Sequence, residues 1–291
     1  MTVPNTKKFQ DKALEMLNNK IKVLFFGDLV GKVGRQAVTT YLSQRKKYED
    51  NLFVIINGEN ASHGFGLTPK NYNELIDAGV DCITSGNHIW DKKDIFNYID
   101  EADKLIRPIN YPAGTQGVGS RIFEFNGAKI AVINALGRVF MQPLDSPWDI
   151  VKSEVEKLKE ITPNIIVDFH AEATAEKLCF GRFLSELGVS AMVGTHTHVQ
   201  TADEKIINGM AYITDVGFCG SIDSIIGMEY QTSIKRLMTS LPERYEVSAS
   251  YPAQINAVEV SLIDGKATEI KRINIKLEAQ EELEVDVGNS V

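Results

Sequence analysis

Short apolar runs recur along this chain, and one after another they end in polar residues, in most cases around or beside a glycine. The run Ile21–Gly27 leads into Asp28, Leu52–Asn57 into Gly58-Glu59-Asn60, and Asp81–Thr84 into Ser85-Gly86-Asn87-His88. Further on, Asn164–Phe169 is followed by His170, and Ala191–Val193 by Gly194-Thr195-His196-Thr197-His198. The runs alternate with amphipathic segments, the signature of strands alternating with helices. In open sheets of that kind, ligands gather on the loops beyond the carboxyl ends of the strands, which is where these clusters fall.

The remaining predicted strands are Arg121–Phe125, Lys129–Asn134, Ala211–Thr214, Asn256–Ile263 and Ala267–Ile275. Predicted helices are Gly34–Lys47, Pro69–Ala78, Lys92–Glu101, Trp148–Leu158, Ala173–Leu187 and Gln231–Leu241. Thr68-Pro69 and Ser146-Pro147 each place a capping hydroxyl before a proline at the first helical position. Asn126-Gly127 and Asp264-Gly265 read as hairpin turns. Early β-α-β units, later antiparallel pairs and the lack of a Pro-, Gly- or Ser-rich linker predict one α/β domain, with two facing sheets and helices outside. That domain takes residues 21–276, between an amphipathic N-terminal extension (1–20) and an acidic tail (277–291).

Composition narrows the functional classes. With 291 residues, 43% apolar and 24% charged, the chain is neither disordered nor fibrous. Three cysteines are too few for a disulfide framework, so the thiols are expected to be reduced, buried in packing, and the compartment cytoplasmic. No apolar run approaches the roughly 20 residues that span a bilayer, and the N-terminus lacks the apolar core of a signal peptide. A net charge of −8 argues against stable nucleic-acid or membrane binding, although Glu278, Glu281, Glu282, Glu284 and Asp286 of the tail supply much of it. An anionic substrate would need cations supplied locally.

The strand ends offer such a place. Gly27 to Arg35 follows a strand and opens a helix, yet its spacing fits neither the dinucleotide fingerprint nor the P-loop. Asp28, Glu59, Asn60, Asn87, His170, His196 and His198 together exceed what one tetrahedral zinc uses, and suit two borderline-hard cations sharing a bridging carboxylate. His196-x-His198 is expected to put both rings on one side of an extended segment. His88 stands beside the set without being needed in it. His63, in a glycine-bracketed loop, is a candidate substrate contact with a plain loop role as the simpler reading.

In their order, strand-Gly-Asp, strand-Gly-Glu-Asn, Gly-Asn-His, lone His and Gly-x-His-x-His, these motifs resemble the calcineurin-like metallophosphoesterases. The longer strings GDLVGKVGR, INGENASHGFGLTP, ITSGNHIWDKK, VDFHAEATAEK, VGTHTHVQTADE and YITDVG are similar to the YmdB-type bacterial phosphodiesterases, over about Lys22 to Ile275. The chain departs from most of the superfamily in having Asp28-Leu29-Val30 in place of Asp-x-His and Glu59 in place of an aspartate, and the YmdB-type proteins share both departures.

The resemblance implies a four-layer α-β-β-α sandwich of mixed sheets and a dinuclear centre often containing iron, with manganese and zinc also compatible. It implies hydrolysis of phosphodiesters, 2′,3′-cyclic nucleotides above all. One metal would be held by Asp28, Glu59, Asn60 and His198, and the other by Glu59, Asn87, His170 and His196. A metal-bridging hydroxide would attack phosphorus while His88 protonates the leaving alkoxide. A phosphomonoesterase (nucleotidase or protein phosphatase), and a nucleotide- or RNA-binding regulator with a structural metal pair, are the alternatives. A homo-oligomer is compatible with all three readings.

Overall fold

The computed structural model describes residues 20–45, 49 and 51–278. The predicted extension up to Asn19 and the tail from Ala279 lie outside the described residues. In chain order the elements begin β1 (Ile21–Phe26), β2 (Asp28–Leu29), α1 (Gly31–Arg45), β3 (Leu52–Asn57), α2 (Pro69–Asp77) and β4 (Cys82–Thr84). They continue with β5 (Ser120–Phe125), β6 (Ala128–Leu136), α3 (Pro147–Lys159), β7 (Asn164–His170), α4 (Thr174–Glu186) and β8 (Ala191–Thr195). The last are β9 (Lys205–Ile207), β10 (Met210–Ile213), β11 (Phe218–Ser221), α5 (Tyr230–Thr239), β12 (Ala253–Ile263) and β13 (Lys266–Leu277).

Two mixed sheets result. One runs β2-β11-β12-β1-β3-β4, with β13 also paired to β12; the other runs β5-β6-β7-β8-β10-β9. In the first, β1, β3 and β4 are parallel neighbours. In the second, β6, β7, β8 and β10 are parallel, and β5 and β9 close the edges antiparallel.

Strand alternation builds the layers, because successive side chains point to opposite faces. Val23 and Phe25 of β1 face the second sheet and pack with Phe53, Ile55, Val132 and Ile166. Leu24 and Phe26 point the other way, onto Val38 and Leu42 of α1 and Leu75 of α2. On the far side of the second sheet, Ile133, Val167 and Phe169 meet Val155, Phe180 and Leu184 of α3 and α4. Three apolar layers therefore separate helix, sheet, sheet and helix, the predicted sandwich.

Four local expectations differ from what is found. Lys92–Glu101 is not an α-helix but a 3-10 turn at Lys93–Asn97 followed by turns. No side chain caps its start, and the chain must return at once so that Ile83 N–H can bond Lys104 O and Ile106 N–H can bond Ile83 O. Thr68 caps α2 by accepting from Asn71 N–H, but the Ser146 hydroxyl makes no such bond at α3, leaving Pro147 to set that start. Strands β2, β9 and β11 add to the predicted set, since two to four residues are too few to show a period. Cys82 and Cys219 are buried as expected, whereas Cys179 is exposed on the outer face of α4.

Both predicted hairpin turns are present, with Asn126 and Gly127 at φ 48° and 80° and Asp264 and Gly265 at 49° and 75°, the left-handed pair such two-residue turns require. Among the described residues, no helix is long and apolar enough to cross a membrane.

Phe53 tests the inter-sheet layer. It is buried from β3, with its ring 5.5 Å from those of Phe123 and Phe125. Phe53→Ala is expected to cost about 3–5 kcal/mol of unfolding free energy, read by chemical denaturation. A loss under ~1 kcal/mol would mean that the two sheets do not share a packed core.

Candidate metal centre

The carboxyl ends of β1, β3 and β4 from one sheet meet those of β7 and β8 from the other. Within three residues past these ends lie Asp28, which opens β2, and Glu59, Asn60, Asn87, His196 and His198, and His170 closes β7. Asp28, Glu59, Asn60, His170 and His198 are buried, while Asn87, His88 and His196 are half-buried. Gly86 is required by close approach, because a Cβ there would run into Glu59 and His170. Space and not backbone conformation sets this requirement, since Gly86 does not adopt a positive φ.

The ligand-type atoms of Glu59, His170 and His196 all lie within 4.8 Å of one another. The Nε2 of His170 sits 3.1 Å from Glu59 Oε1, 3.1 Å from Asn87 Oδ1 and 3.0 Å from His196 Nδ1. One N–H cannot serve three acceptors, whereas a cation can bind all four atoms. Beside this cluster His198 Nε2 is 3.8 Å from Asp28 Oδ1. Asp28 Oδ1 and Asn60 Oδ1 are buried without any hydrogen-bond partner. Asn60 is oriented by donating Nδ2–H to Gly64 O at 2.8 Å, which leaves its bare oxygen free.

Each imidazole has its outer nitrogen committed. His170 Nδ1 lies 2.9 Å from Thr195 Oγ1, whose proton goes to Asp168 Oδ1 at 2.7 Å, so His170 donates. His196 Nε2 is 3.1 Å from Glu172 Oε2, and His198 Nδ1 is 2.9 Å from Ile226 O. The inner nitrogens thus face the cluster, and that of His170 would offer its lone pair once its proton is displaced, the outer-shell arrangement typical of metal-binding histidines. The donor set fits a metal centre: oxygen and imidazole nitrogen, no thiolate, and two orphaned buried oxygens.

Charge at the site supports the same use. Burial would raise the Glu59 carboxyl, but the His170 imidazolium outweighs it and holds Glu59 at about 2. Burial would lower His170, yet Glu59, Asp28 and Asp168 overcome it and lift its pKa to about 9. Burial, reinforced by His170, pushes His196 down to about 3. Burial raises Asp28 against the opposing pull of His198 and His170.

The His-x-His expectation needs correction. Strand β8 stops at Thr195, and His196 and His198 take φ of 101° and 61° in a turn. Both rings reach the cluster because the backbone is coiled there, not because an extended segment alternates. What holds that uncommon backbone is a pair that no motif marks. Buried Lys177 Nζ donates to Thr195 O and to Asp215 Oδ2, each at 2.7 Å. The same oxygen accepts from Thr197 N–H at 3.1 Å and Thr197 Oγ1 at 2.8 Å. Both residues stand in the strings VDFHAEATAEK and YITDVG, but a lysine and an aspartate 38 positions apart carry no local signal of pairing.

His88 lines a cleft of about 460 Å³ beside the cluster. Its Nδ1 is 2.8 Å from Asp91 Oδ2, and its backbone N–H donates to Glu59 Oε2 at 3.0 Å. Asp91, in the string ITSGNHIWDKK, is an orienting partner that the sequence alone does not assign. His63 is exposed and does not line the cleft, so its place favours the plain loop role.

Residues 24–273 match the protein family described as YmdB-like. The chain is 49% identical over 259 residues to a 2′,3′-cyclic-nucleotide 2′-phosphodiesterase of Bacillus subtilis, covering 88% of this chain and 97% of that one. Among solved structures it is similar to a hypothetical protein from Thermus thermophilus, with a TM-score of 0.83 and 37% identity over 89% of this chain and 100% of that one. It is equally similar to a novel phosphatase from Mycoplasma pneumoniae, with a TM-score of 0.83 and 38% identity over 90% and 95% of the two chains.

Two outcomes are expected. Thr195→Val removes the link between His170 and Asp168 without changing side-chain volume, and should weaken metal affinity about 10–100-fold in competition with a chelator. Unchanged affinity would deny Thr195 that role. Metal uptake must also displace the proton that His170 holds up to about 9, so affinity should climb with pH through neutrality and level off near that value, with proton release in weak buffer. Uptake independent of pH, with no protons released, would contradict the charge arrangement.

Proposed function

The chain belongs to the YmdB-type family of calcineurin-like metallophosphoesterases, which are phosphodiesterase-type metallohydrolases, and from that membership we propose that it hydrolyses 2′,3′-cyclic nucleotides at a centre of two metal ions. The observation that carries the second ion is the pair of buried, unpartnered oxygens, Asp28 Oδ1 and Asn60 Oδ1, beside the Glu59-His170-His196 cluster. A single ion held by that cluster would leave both oxygens desolvated and unpaired, each a cost of about 1–3 kcal/mol. In this reading Asp28, Glu59, Asn60 and His198 hold one ion, and Glu59, Asn87, His170 and His196 hold the other, with Glu59 common to both. Iron is the favoured metal, and manganese or zinc would also suit these donors.

When bound, such ions lower the pKa of water and neutralise charge on the phosphoryl oxygens. The chain's own residues do the rest. Asp91 holds His88 by Nδ1, and the edge-to-face contact with Phe65, at 4.9 Å between ring centroids, fixes the imidazole at the cleft wall. From there His88 delivers a proton to the departing alkoxide. In a cyclic diester that oxygen remains tethered to the ribose, so a wall-mounted acid meets it in one position. The buried carboxylates of Asp28 and Glu59 would repel a phosphodiester if no cation covered them, which makes activity wholly dependent on metal.

Metal analysis of protein purified without oxygen is expected to find two ions per chain, and the loaded protein to turn over 2′,3′-cyclic nucleotides in preference to 3′,5′-cyclic nucleotides and phosphomonoesters. Fewer than two ions, or a preference for monoesters, would overturn the corresponding half of the reading. His88→Ala should retain both ions and lower kcat by about 10²–10⁴. Loss of metal or full activity in that variant would remove His88 from proton transfer.

A further inference from the structure

The cleft beside the metal centre has two unlike halves. Glu59, Asn60, His88, His196 and His198 make up its polar half, and Ile225, Ile226, Met228, Leu237 and Tyr245 its apolar half, with Phe65 joining the two through its contact with the His88 ring. Its volume of about 460 Å³ suits one small molecule. No lysine or arginine is among the lining residues, and its carboxylates, Glu59 and Glu172, are anions. A ligand's negative charge therefore belongs at the metal, and the group that meets the apolar half must be uncharged.

Two observations mark that half as a built site. Ser233, in the first turn of α5, lines the cleft and is 3% exposed, and its Oγ has no hydrogen-bond partner. A helical hydroxyl usually finds a partner, so a bare buried one on a residue that lines a cleft marks a place for a ligand's donor or acceptor. The second is Ile226. It occupies a tight turn closed by paired bonds between Ile225 and Met228, at 2.8 and 3.0 Å, with φ of 48°.

A β-branched residue in the left-handed region is a true outlier, where Gly or Asn would be relaxed. The carbonyl that accepts from His198 Nδ1 belongs to Ile226, but any residue supplies a carbonyl. The isoleucine side chain, 48% exposed, is therefore kept at this strained position for what it faces, which is the cleft. Strain retained at such a site is a sign of use.

We propose that this half of the cleft is a nucleobase subsite, in which Phe65, Tyr245 and the Ile225–Met228 turn enclose an uncharged purine or pyrimidine and the Ser233 hydroxyl bonds one of its polar edge atoms. The inference rests on the phosphodiesterase reading and adds to it the part of the substrate from which binding energy is drawn. The base is a planar, neutral group with a few polar edge atoms. Aromatic and apolar side chains bind such a face whatever the base, and one hydroxyl, donor and acceptor alike, can meet an edge atom of each. The same turn that grips the base thereby sets His198, so filling the subsite and ordering the metal ligand draw on one structural element.

The test uses metal-loaded protein, with binding of adenosine and of ribose followed by saturation-transfer NMR. Adenosine is expected to bind and ribose not. Ile226→Asn relieves the backbone strain and keeps the carbonyl, so the variant should be as thermally stable as the parent or more so, while adenosine binding weakens about tenfold. Ser233→Ala should weaken it about threefold to tenfold.

In turnover, the ratio of kcat/KM for a 2′,3′-cyclic nucleotide to that for ribose 2′,3′-cyclic phosphate should fall about tenfold in Ile226→Asn, through KM. Adenosine that fails to bind, or that binds both variants as tightly as the parent, would overturn the subsite. If adenosine binding responds to both substitutions while neither cyclic compound is turned over, the subsite stands and the phosphodiesterase reading fails.

Discussion

A buried carboxylate where the two sheets meet holds the rest of this site in place. Asp168, on β7, is wholly shielded from water, and burial lifts its pKa to about 7. It accepts hydrogen bonds from the Thr84 hydroxyl and the Asn57 amide of the opposing sheet, and from Thr195 of the adjacent strand. A carboxyl desolvated to this degree is costly unless its lone pairs are met, and here the donors that meet them come from both sheets. The bonds that satisfy Asp168 are thus the ones that bring the ends of β3, β4, β7 and β8 together. Through Thr195 they also reach His170, whose inner nitrogen faces the candidate metal cluster.

The backbone beyond β8 is governed by a second buried charge. Lys177 and Asp215 pair within the protein and distribute their remaining hydrogen bonds over Thr195, Thr197 and Gly217. A buried pair of this kind adds little net stability but is severe in its demand for geometry. That demand is what the coiled segment needs, since His196 and His198 both occupy the sparsely populated left-handed region. Positional order at His196 and His198 is obtained with the electrostatic energy of groups that do not line the cleft.

The ligand types, their order along the chain and the four layers are all legible in the sequence, because each depends on local pattern. Apolar runs mark the strands, and polar residues immediately after them mark the loops at one end of a parallel sheet. Glu59, His170 and His196, with Asn87 against His170, come together for that reason. Asp91, Asp168, Lys177 and Asp215 carry no such mark. Each stands in ordinary company, on a helix, in a strand or in a turn, and acts through a partner that no sequence period connects to it. The helix expected at Lys92–Glu101 fails for a related reason: its amphipathic pattern is real, but the bonds of Ile83 to Lys104 and Ile106 override it.

By itself the sequence determined the alternation of buried strand and outer helix, the chemistry of the donors, and the absence of thiolate from the site, since all of these are properties of residues in series. Only the tertiary structure decided which nitrogen of each histidine turns inward, which buried oxygens are left without partners, and which apolar side chains wall the cleft. Those are set by contacts between Thr195 and Asp168, His198 and Ile226, His88 and Asp91, and by the approach of α5 to the loop ends. A hydrogen bond or a cavity depends on the separation of groups in space, and folding alone brings residues distant in the chain to that separation.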